Sequence, residues 1–182
     1  TEKMIASMSN LFRYNLKTSE QIVFLKQELD VVENYIYIQK MRFGSRVQYG
    51  MSIELDGAKV KIPAFTMQPV VENAIIHGIS KKEAGGRIFI RAVAKENGVL
   101  ISVADNGVGM EESRLKEVRE GLKKGRTSKV GIGFGNIYKR IDSIYQKGSF
   151  RIYSRKGCGT VVQMFIPQDE EVEEYREENE SG

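Results

Sequence analysis

The stretch Ser-Val-Ala-Asp-Asn-Gly-Val-Gly-Met (residues 102–110) decides the fold of the region around it. An alternating apolar run ends at Asp105, and glycines follow at Gly107 and Gly109. A strand that ends in a carboxylate and then loses its side chains fits two situations. One is a surface turn. The other is a ligand that needs one acceptor with bare backbone beside it.

The flanking segments predict an α+β fold, a two-layer α/β sandwich. Residues 87–96 and 99–105 alternate between apolar and polar side chains, and Asn97-Gly98 predicts a hairpin turn between them. Further strands are predicted over 47–55, 58–63 (as a partner of 47–55), 149–155 and 160–166, and helices over 65–79, 111–122 and 136–146. Mixed helices and strands with two antiparallel hairpins indicate helices packed on one face of a sheet.

The first 43 residues predict a helical hairpin before this sandwich. A helix over residues 1–16 places Met4, Met8 and Leu11 on one stripe, and a longer helix runs from about Glu20 to Phe43 after a break at Lys17-Thr18-Ser19, with Ser19 as its cap. Apolar residues of the second helix repeat at spacings of 4, 3 and 4: Leu25, Leu29, Val32 and Ile36. This narrow seam fits packing on the neighbouring domain, and it equally fits the helical bundle of a dimer.

Composition excludes several classes of function. The chain of 182 residues has one cysteine, Cys158, and one histidine, His77, which disfavours disulfides, His/Cys metal sites and a Ser-His-Asp triad. No apolar run is long enough to cross a bilayer. The net charge is +4, and residues 169–182 carry eight acids and one arginine, or −7, so residues 1–168 carry +11. We expect a disordered acidic tail and a basic body suited to a triphosphate or nucleic acid.

Two features favour the triphosphate. Gly131, Gly133 and Gly135 lead into the helix predicted from Asn136, where backbone N–H groups bind phosphate well, although the run is neither a Rossmann fingerprint nor a P-loop. The segment between Gly109 and Gly131 fits either a glycine-hinged polyphosphate lid or a solvated helix and loop. Its cations are Lys116, Arg119, Lys123, Lys124, Arg126 and Lys129.

Polar residues also interrupt the apolar helix that contains Gln-Pro-Val-Val-Glu-Asn-Ala-Ile-Ile-His (residues 68–77). Glu72 and Asn73 are costly to bury without partners. They fit a cap or a surface-facing pair. Alternatively, Asn73 offers its amide oxygen to Mg²⁺, which prefers oxygen ligands and accompanies phosphates.

Taken together, the motifs resemble a known ATP-binding domain. Asn73 in its helix, DNGVGM (105–110), GIGFGN (131–136) and GCGT (157–160) follow the order of the N, G1, G2 and G3 boxes. These boxes belong to DNA gyrase, ninety-kilodalton heat-shock chaperones, histidine kinases and mismatch-repair ATPases (the GHKL, or Bergerat-fold, superfamily). The resemblance covers roughly residues 60–167. QPVVENAIIHG (68–78) and GIGFGNIYKRI (131–141) are most similar to bacterial sensor histidine kinases of the LytS/YesM type.

The resemblance implies a role for each matching residue. Asp105 would accept a hydrogen bond from the adenine amino group, with Thr160 supporting it, and Asn73 would hold Mg²⁺ against the phosphates of ATP. The remaining implied contacts with ATP are Gly107 and Gly109 near adenine, Gly131, Gly133 and Gly135 around the phosphates, Lys129 in the lid, and His77 and Arg140 near sugar or phosphate. For His77 a structural role is an equal alternative.

Departures from the family pattern make the prediction sharper. The superfamily's ATPases carry a glutamate base four residues before the asparagine, where this chain has Pro69, so phosphoryl transfer is favoured over hydrolysis. The lysine of many histidine kinases is replaced by Ile76, so phosphate contacts must come from the lid, from Lys129 or Arg126.

No phosphoacceptor histidine lies in residues 1–43, so we expect it upstream and expect no self-phosphorylation of this chain on histidine. The start at Thr1 also suggests a fragment of a longer protein.

The implied organisation is a dimerisation region over 1–44, an ATP-binding catalytic domain over 45–168 and an acidic tail over 169–182. The implied partners are ATP, a response regulator receiver domain and a second copy through helices 1–43, with no nucleic acid. The implied location is the cytoplasmic side of a membrane-anchored bacterial sensor, with any membrane segment upstream. The rival functions are a GHKL-type ATPase and a nucleotide-sensing dimerisation module without phosphotransfer.

Overall fold

In the computed structural model, which describes residues 2–17, 22–124 and 132–168, a helical hairpin precedes a five-stranded sheet. The helices are α1 (Glu2–Lys17), α2 (Leu25–Phe43), α3 (Met67–Asn73), α4 (Glu112–Lys123) and α5 (Ile132–Ile144), with a 3₁₀ turn over Gly44–Arg46 and a π-helical continuation of α3 over Ala74–Ile79. The strands are β1 (Ile22–Phe24), β2 (Val47–Glu54), β3 (Lys61–Pro63), β4 (Gly86–Lys95), β5 (Gly98–Asp105), β6 (Ser149–Arg155) and β7 (Gly159–Pro167).

The main sheet confirms the predicted sandwich. Its strand order is β2-β4-β5-β7-β6, with β2 parallel to β4 and the other neighbours antiparallel. Both predicted hairpins, β4–β5 and β6–β7, are present. The β4–β5 turn differs by one residue from the prediction, because Lys95 pairs with Gly98 and Asn97 takes the left-handed conformation (φ 62°).

Two predictions near the hairpin are wrong. β3 does not pair with β2; it pairs antiparallel with β1, with Val23 opposite Ile62. The second helix does not begin near Glu20, because the β-branched residues Ile22 and Val23 form strand β1 first. α2 therefore starts at Leu25, whose backbone N–H donates to the carbonyl of Val60 at 2.8 Å.

The seam of α2 packs on the neighbouring sandwich, the first of the two predicted alternatives. Leu25, Val32 and Ile36 are fully buried in the same hydrophobic core as Val71 and Ile75 of the α3 segment, which is α3 with its π-helical continuation (67–79). By contrast, the predicted stripe of α1 is largely exposed: Met4 is 37% and Met8 is 42% accessible. α2 is thus fixed to the sandwich, whereas α1 presents apolar side chains outward.

The predicted third and fourth helices are confirmed, and the last one starts earlier than predicted. α5 already includes Ile132, so Gly133 and Gly135 lie inside its first turns rather than before Asn136. Within the described parts of the chain, no helix has the length and apolar character needed to cross a membrane. The predictions for Ser19, Arg126, Lys129, Gly131 and the tail over 169–182 fall outside the described residues.

Candidate nucleotide site

A cavity of about 430 Å³ opens between the α3 segment, the carboxyl end of β5, strand β7 and helix α4. Five of the residues singled out in the sequence line it: Asn73, His77, Asp105, Gly109 and Thr160. They are far apart along the chain, and the sheet and the α3 segment bring them together.

Asp105 supplies the half-buried carboxylate of the cavity. It ends β5, is half-buried, and its Oδ1 accepts the N–H of Gly107 at 2.8 Å. Burial raises the pKa of Asp105 to about 6, against the opposing effect of hydrogen bonds from the backbone of Gly107 and Thr160. The turn thus fixes Oδ1, and the carboxylate, with about four acceptor positions, can still accept a bond from a ligand.

Gly78, which sequence reasoning missed, makes room for this carboxylate. A Cβ atom at Gly78 would lie 2.8 Å from Oδ1 of Asp105. A Cβ at Gly107 would lie 2.3 Å from the carbonyl carbon of Gly78, so the helix and the turn meet through two glycines. Gly107 therefore serves close packing and does not itself line the cavity. The sequence signal for Gly78 was its position directly after His77, near the end of the apolar helix.

Thr160 supports the site through its strand and its hydroxyl group. It is the cross-strand neighbour of Asp105, and its Oγ1 lies 2.8 Å from Oγ of Ser154. The Ser154 hydroxyl also accepts the N–H of Met110 at 2.9 Å. This network ties the β6–β7 hairpin to the glycine turn that follows Asp105.

The side chain of Asn73 is oriented by Pro69, which occupies the position of the glutamate base in the superfamily's ATPases. Its Nδ2 donates to the carbonyl of Pro69 at 2.8 Å, which leaves Oδ1 available as an oxygen ligand. A Cβ at Gly133 would lie 3.0 Å from Cβ of Pro69 and 3.5 Å from Nδ2 of Asn73. The first turn of α5, whose leading N–H groups have no partner within the helix, is therefore adjacent to Asn73.

These residues fit a Mg²⁺ ion that is bound together with phosphates. They fit less well a metal site built from protein ligands alone. Among the described residues, no group of three or more His, Cys, Asp or Glu side chains could hold a metal. Mg²⁺ commonly keeps several waters and takes only one or two protein oxygens besides substrate phosphates. A single amide oxygen at Asn73 satisfies that requirement.

Other predicted contacts are placed differently. The guanidinium of Arg140 donates to the carbonyl of Ala64 and does not reach the cavity lining. Gly133 and Gly135 also lie outside the lining, although Gly133 is adjacent to Asn73. His77 lies at the cavity and is exposed.

The comparisons with known proteins agree with this geometry. The family model described as "Histidine kinase-, DNA gyrase B-, and HSP90-like ATPase" matches residues 64–170, more than half of the chain. The chain belongs to this family. The model described as "Histidine kinase" matches residues 1–47, which include the helical hairpin.

Relatives and solved structures extend the comparison. The curated Sensor protein kinase HptS of Staphylococcus aureus (strain USA300) is 29% identical over 169 residues, 91% of this chain, which spans about a third (32%) of that relative. The Acinetobacter baumannii histidine kinase AdeS shares the fold at TM-score 0.59 and 12% identity, over 91% of this chain and 77% of that one. The histidine kinase domain of the Erythrobacter litoralis EL346 blue-light activated kinase does so at 0.57 and 16%, over 91% and 73%.

Beside the cavity, α4 is an anchored helix rather than a hinged flap. Leu115, Val118 and Leu122 are buried, and Arg119 donates to the carbonyl of Ile152 at 2.6 and 3.0 Å. The lid interpretation therefore fails for residues 112–123. The rest of the proposed lid, residues 125–131, lies outside the described residues.

The cavity also contains groups that were not assigned from the sequence. Lys81 and Arg114 line it and are exposed, so both can face an anionic ligand. Most of the remaining lining is apolar and includes Val70, Val103, Val118, Phe134 and Val162. Two carboxylates line the cavity, and that of Glu111 is exposed and paired with Lys156. An apolar wall with one half-buried carboxylate, that of Asp105, suits a flat heterocycle that carries an amino group.

Proposed function

We propose that this histidine kinase domain binds ATP with Mg²⁺ in the cavity. The observation that carries the proposal is the carboxylate of Asp105, held by Gly107 at the end of an apolar pocket. This carboxylate would accept a hydrogen bond from the amino group of adenine. Gly109, at the cavity wall, would lie beside the base, and Thr160 would keep the carboxylate in place.

The phosphates would extend from the adenine pocket toward Asn73 and the start of α5. Asn73 Oδ1 would contribute the protein ligand to Mg²⁺, which supplies charge neutralisation of the phosphates when bound. The N–H groups of the first turn of α5 would bind phosphate oxygens. Lys81 and Arg114 are the described cations that line the cavity, and Lys129 and Gly131 remain proposed contacts.

The proposed reaction is transfer of the γ-phosphoryl group to a histidine on a segment upstream of residue 1, for relay to a response regulator. Hydrolysis is disfavoured, because Pro69 cannot act as a base and Glu72 accepts a hydrogen bond from Gln68 at 2.9 Å. Neither Glu72 nor Gln68 lines the cavity. Catalysis would therefore consist of positioning and charge neutralisation rather than activation of water.

The helical hairpin would form a homodimer in the full-length protein. α1 exposes Ile5, Met8, Phe12 and Leu16 at spacings of 3, 4 and 4, which places them on one helical face. Leu16 is 84% and Ile5 is 67% accessible, so this face is unburied within the single chain.

We further propose that the domain works on the cytoplasmic side of a membrane-anchored bacterial sensor.

Calorimetric titration of ATP and ADP, with Mg²⁺ and with EDTA, tests the nucleotide site. The chain should bind both nucleotides, Asp105→Asn should lose binding in both conditions, and Asn73→Ala should lose only the gain produced by Mg²⁺. Asp142→Asn, an exposed carboxylate on α5, is the matched control. Absence of nucleotide binding by the intact chain would contradict the proposal.

A second experiment tests phosphoryl transfer. An upstream helical segment carrying a histidine is added in trans with Mg-ATP, and acid-labile phosphate on that segment is measured. Transfer to the segment supports the kinase reaction. Release of inorganic phosphate at the same rate without the segment would favour an ATPase, and binding with neither outcome would favour a nucleotide-sensing module.

A further inference from the structure

Glu28 on α2 is the one charged side chain that is fully buried in the described part of the chain. An isolated carboxylate in a protein core is costly unless it is fully hydrogen-bonded. Its burial therefore needs an explanation, and neither the nucleotide cavity nor the proposed reaction provides one.

The hydrogen-bond partners of Glu28 give that explanation. Oε2 accepts the N–H groups of Thr66 at 2.9 Å and Met67 at 2.8 Å. Oε1 accepts the N–H of Phe65 at 2.8 Å and the hydroxyl of Tyr14 on α1. Each oxygen accepts two bonds, so the buried charge is fully satisfied.

These bonds replace the cap that α3 lacks. α3 begins at Met67, and the side chain of Thr66 does not cap it; the Thr66 hydroxyl donates to the carbonyl of Pro63. The leading N–H groups of a helix have no partner within it, and a negative charge there is favourable. Glu28 supplies both functions from a different helix.

The same segment is held from three sides in an unusual conformation. Phe65 takes a left-handed backbone conformation (φ 58°), which side chains other than glycine seldom adopt. The ring of Tyr14 meets the ring of Phe65 edge-on at 5.3 Å, and Arg140 of α5 donates to the carbonyl of Ala64. Helices α1, α2 and α5 thus converge on the backbone of residues 64–67, the capped segment.

The capped segment is directly connected to Asn73. α3 runs from Met67 to Asn73, a rise of roughly 9 Å at about 1.5 Å per residue. Buried Val70 and Val71 and the bond from Asn73 to the carbonyl of Pro69 make this short helix one packed unit. Asp105, by contrast, is fixed by the sheet and by the Gly107 turn.

We propose that Glu28 is a positioning residue for Asn73, and that Tyr14 makes this positioning depend on the place of helix α1. The inference rests on the proposed function of Asn73 as the oxygen ligand of Mg²⁺. A shift of α1 would loosen the Tyr14–Glu28 bond, free the capped segment and move Asn73. The Mg²⁺-dependent part of ATP binding would weaken while the adenine contact at Asp105 stays intact.

The test uses the 182-residue chain and one ratio, the dissociation constant of ATP in EDTA divided by that of Mg-ATP. Glu28→Gln replaces one accepting oxygen with an amide that donates, and it should reduce the ratio about tenfold. Tyr14→Phe leaves the three backbone bonds and should reduce it about threefold. The dissociation constant in EDTA should stay within about twofold for both variants.

Matched controls come from the same hairpin. Glu33→Gln removes an exposed carboxylate from α2, and Tyr37→Phe removes a hydroxyl that does not contact Glu28. Both should leave the ratio unchanged. If Glu28→Gln does not fold, the ratio measured for Tyr14→Phe decides whether the inference stands.

The outcomes separate the two proposals. If Asn73→Ala loses the Mg²⁺ gain while Tyr14→Phe and Glu28→Gln keep it, the positioning inference is overturned and the proposed function stands. If Asn73→Ala keeps the gain, the assignment of Asn73 fails, and the inference that rests on it fails as well. A lower melting temperature in Glu28→Gln with an unchanged ratio would show that Glu28 only stabilises the fold, which also overturns the inference.

Discussion

The change Asp105→Asn should stabilise the folded chain while abolishing nucleotide binding. Burial raises the pKa of Asp105 from 3.8 to about 6, so the ionised carboxylate is less favourable in the folded state than in the unfolded state. At about 1.4 kcal/mol per pKa unit, the charged side chain lowers the free energy of unfolding at neutral pH by up to roughly 3 kcal/mol. Asparagine removes that charge, and its Oδ1 can still accept the N–H of Gly107.

The pH dependence of the stability difference between the parent chain and Asp105→Asn identifies the cause of that difference. Because the folded-state pKa is raised, the parent chain is most stable below the unfolded pKa of about 4 and loses stability as pH rises toward about 6. Asp105→Asn lacks this titration, so its advantage should be near zero at about pH 4 and reach its full value above about pH 6. Urea unfolding of both chains across this range measures the difference.

Adding ATP to the same assay should reverse the order of stability. Ligand at 1,000 times its dissociation constant adds about 4.1 kcal/mol to a chain that binds it, which exceeds the deficit of up to roughly 3 kcal/mol caused by the charged carboxylate. The parent should gain this amount at neutral pH and lose part of it below about pH 6, where the carboxyl group becomes protonated. Asp142→Asn, an exposed change, should alter neither property. The reasoning is refuted if Asp105→Asn is less stable than the parent at pH 7, or if its advantage is equal at pH 4 and pH 7.

Two further substitutions test the packing around the site. Gly78→Ala places a Cβ 2.8 Å from Oδ1 of Asp105 and should weaken ATP binding at least about tenfold in calorimetry. The control is Gly57→Ala, where the nearest atom is 3.5 Å from the added Cβ and binding should not change. Equal effects of the two changes would contradict the packing argument. Ile36→Ala, at a fully buried α2 position, should lower the free energy of unfolding by about 2–4 kcal/mol in urea titration, whereas Phe12→Ala, 62% accessible on α1, should change it by less than about 0.5 kcal/mol; a small effect of Ile36→Ala would mean that α2 does not belong to the domain core.

Features that depend on neighbours in sequence were predictable. Alternation over residues 87–105 determines two strands and their hairpin, because side chains on a strand alternate between its faces. The glycine motifs indicated where backbone must come close to a ligand or to another segment, and Gly109 and Asp105 do line the cavity. The periodicity of α2 indicated a buried stripe, although it did not indicate the surface that buries it.

Features that depend on distant segments were not predictable in this way. The pairing of β1 with β3 joins three-residue segments that lie far apart in the chain and carry little pattern. The charge run over α4 gave no sign that Arg119 is committed to the carbonyl of Ile152. Arg140 likewise follows the glycine motif in sequence, yet its side chain reaches Ala64 rather than the cavity.

The sequence alone determined the order of the five main-sheet strands and of the helices around them, the four motifs and the replacement of a base by Pro69, because each is set by residue type and local spacing. Only the tertiary structure decided that Gly78 makes room for Asp105, that Lys81 and Arg114 face the cavity, and that Glu28 caps α3. Steric clearance, pocket lining and a cap supplied by another helix are relations between atoms remote in the chain. They exist only once the hydrophobic core has brought those segments together.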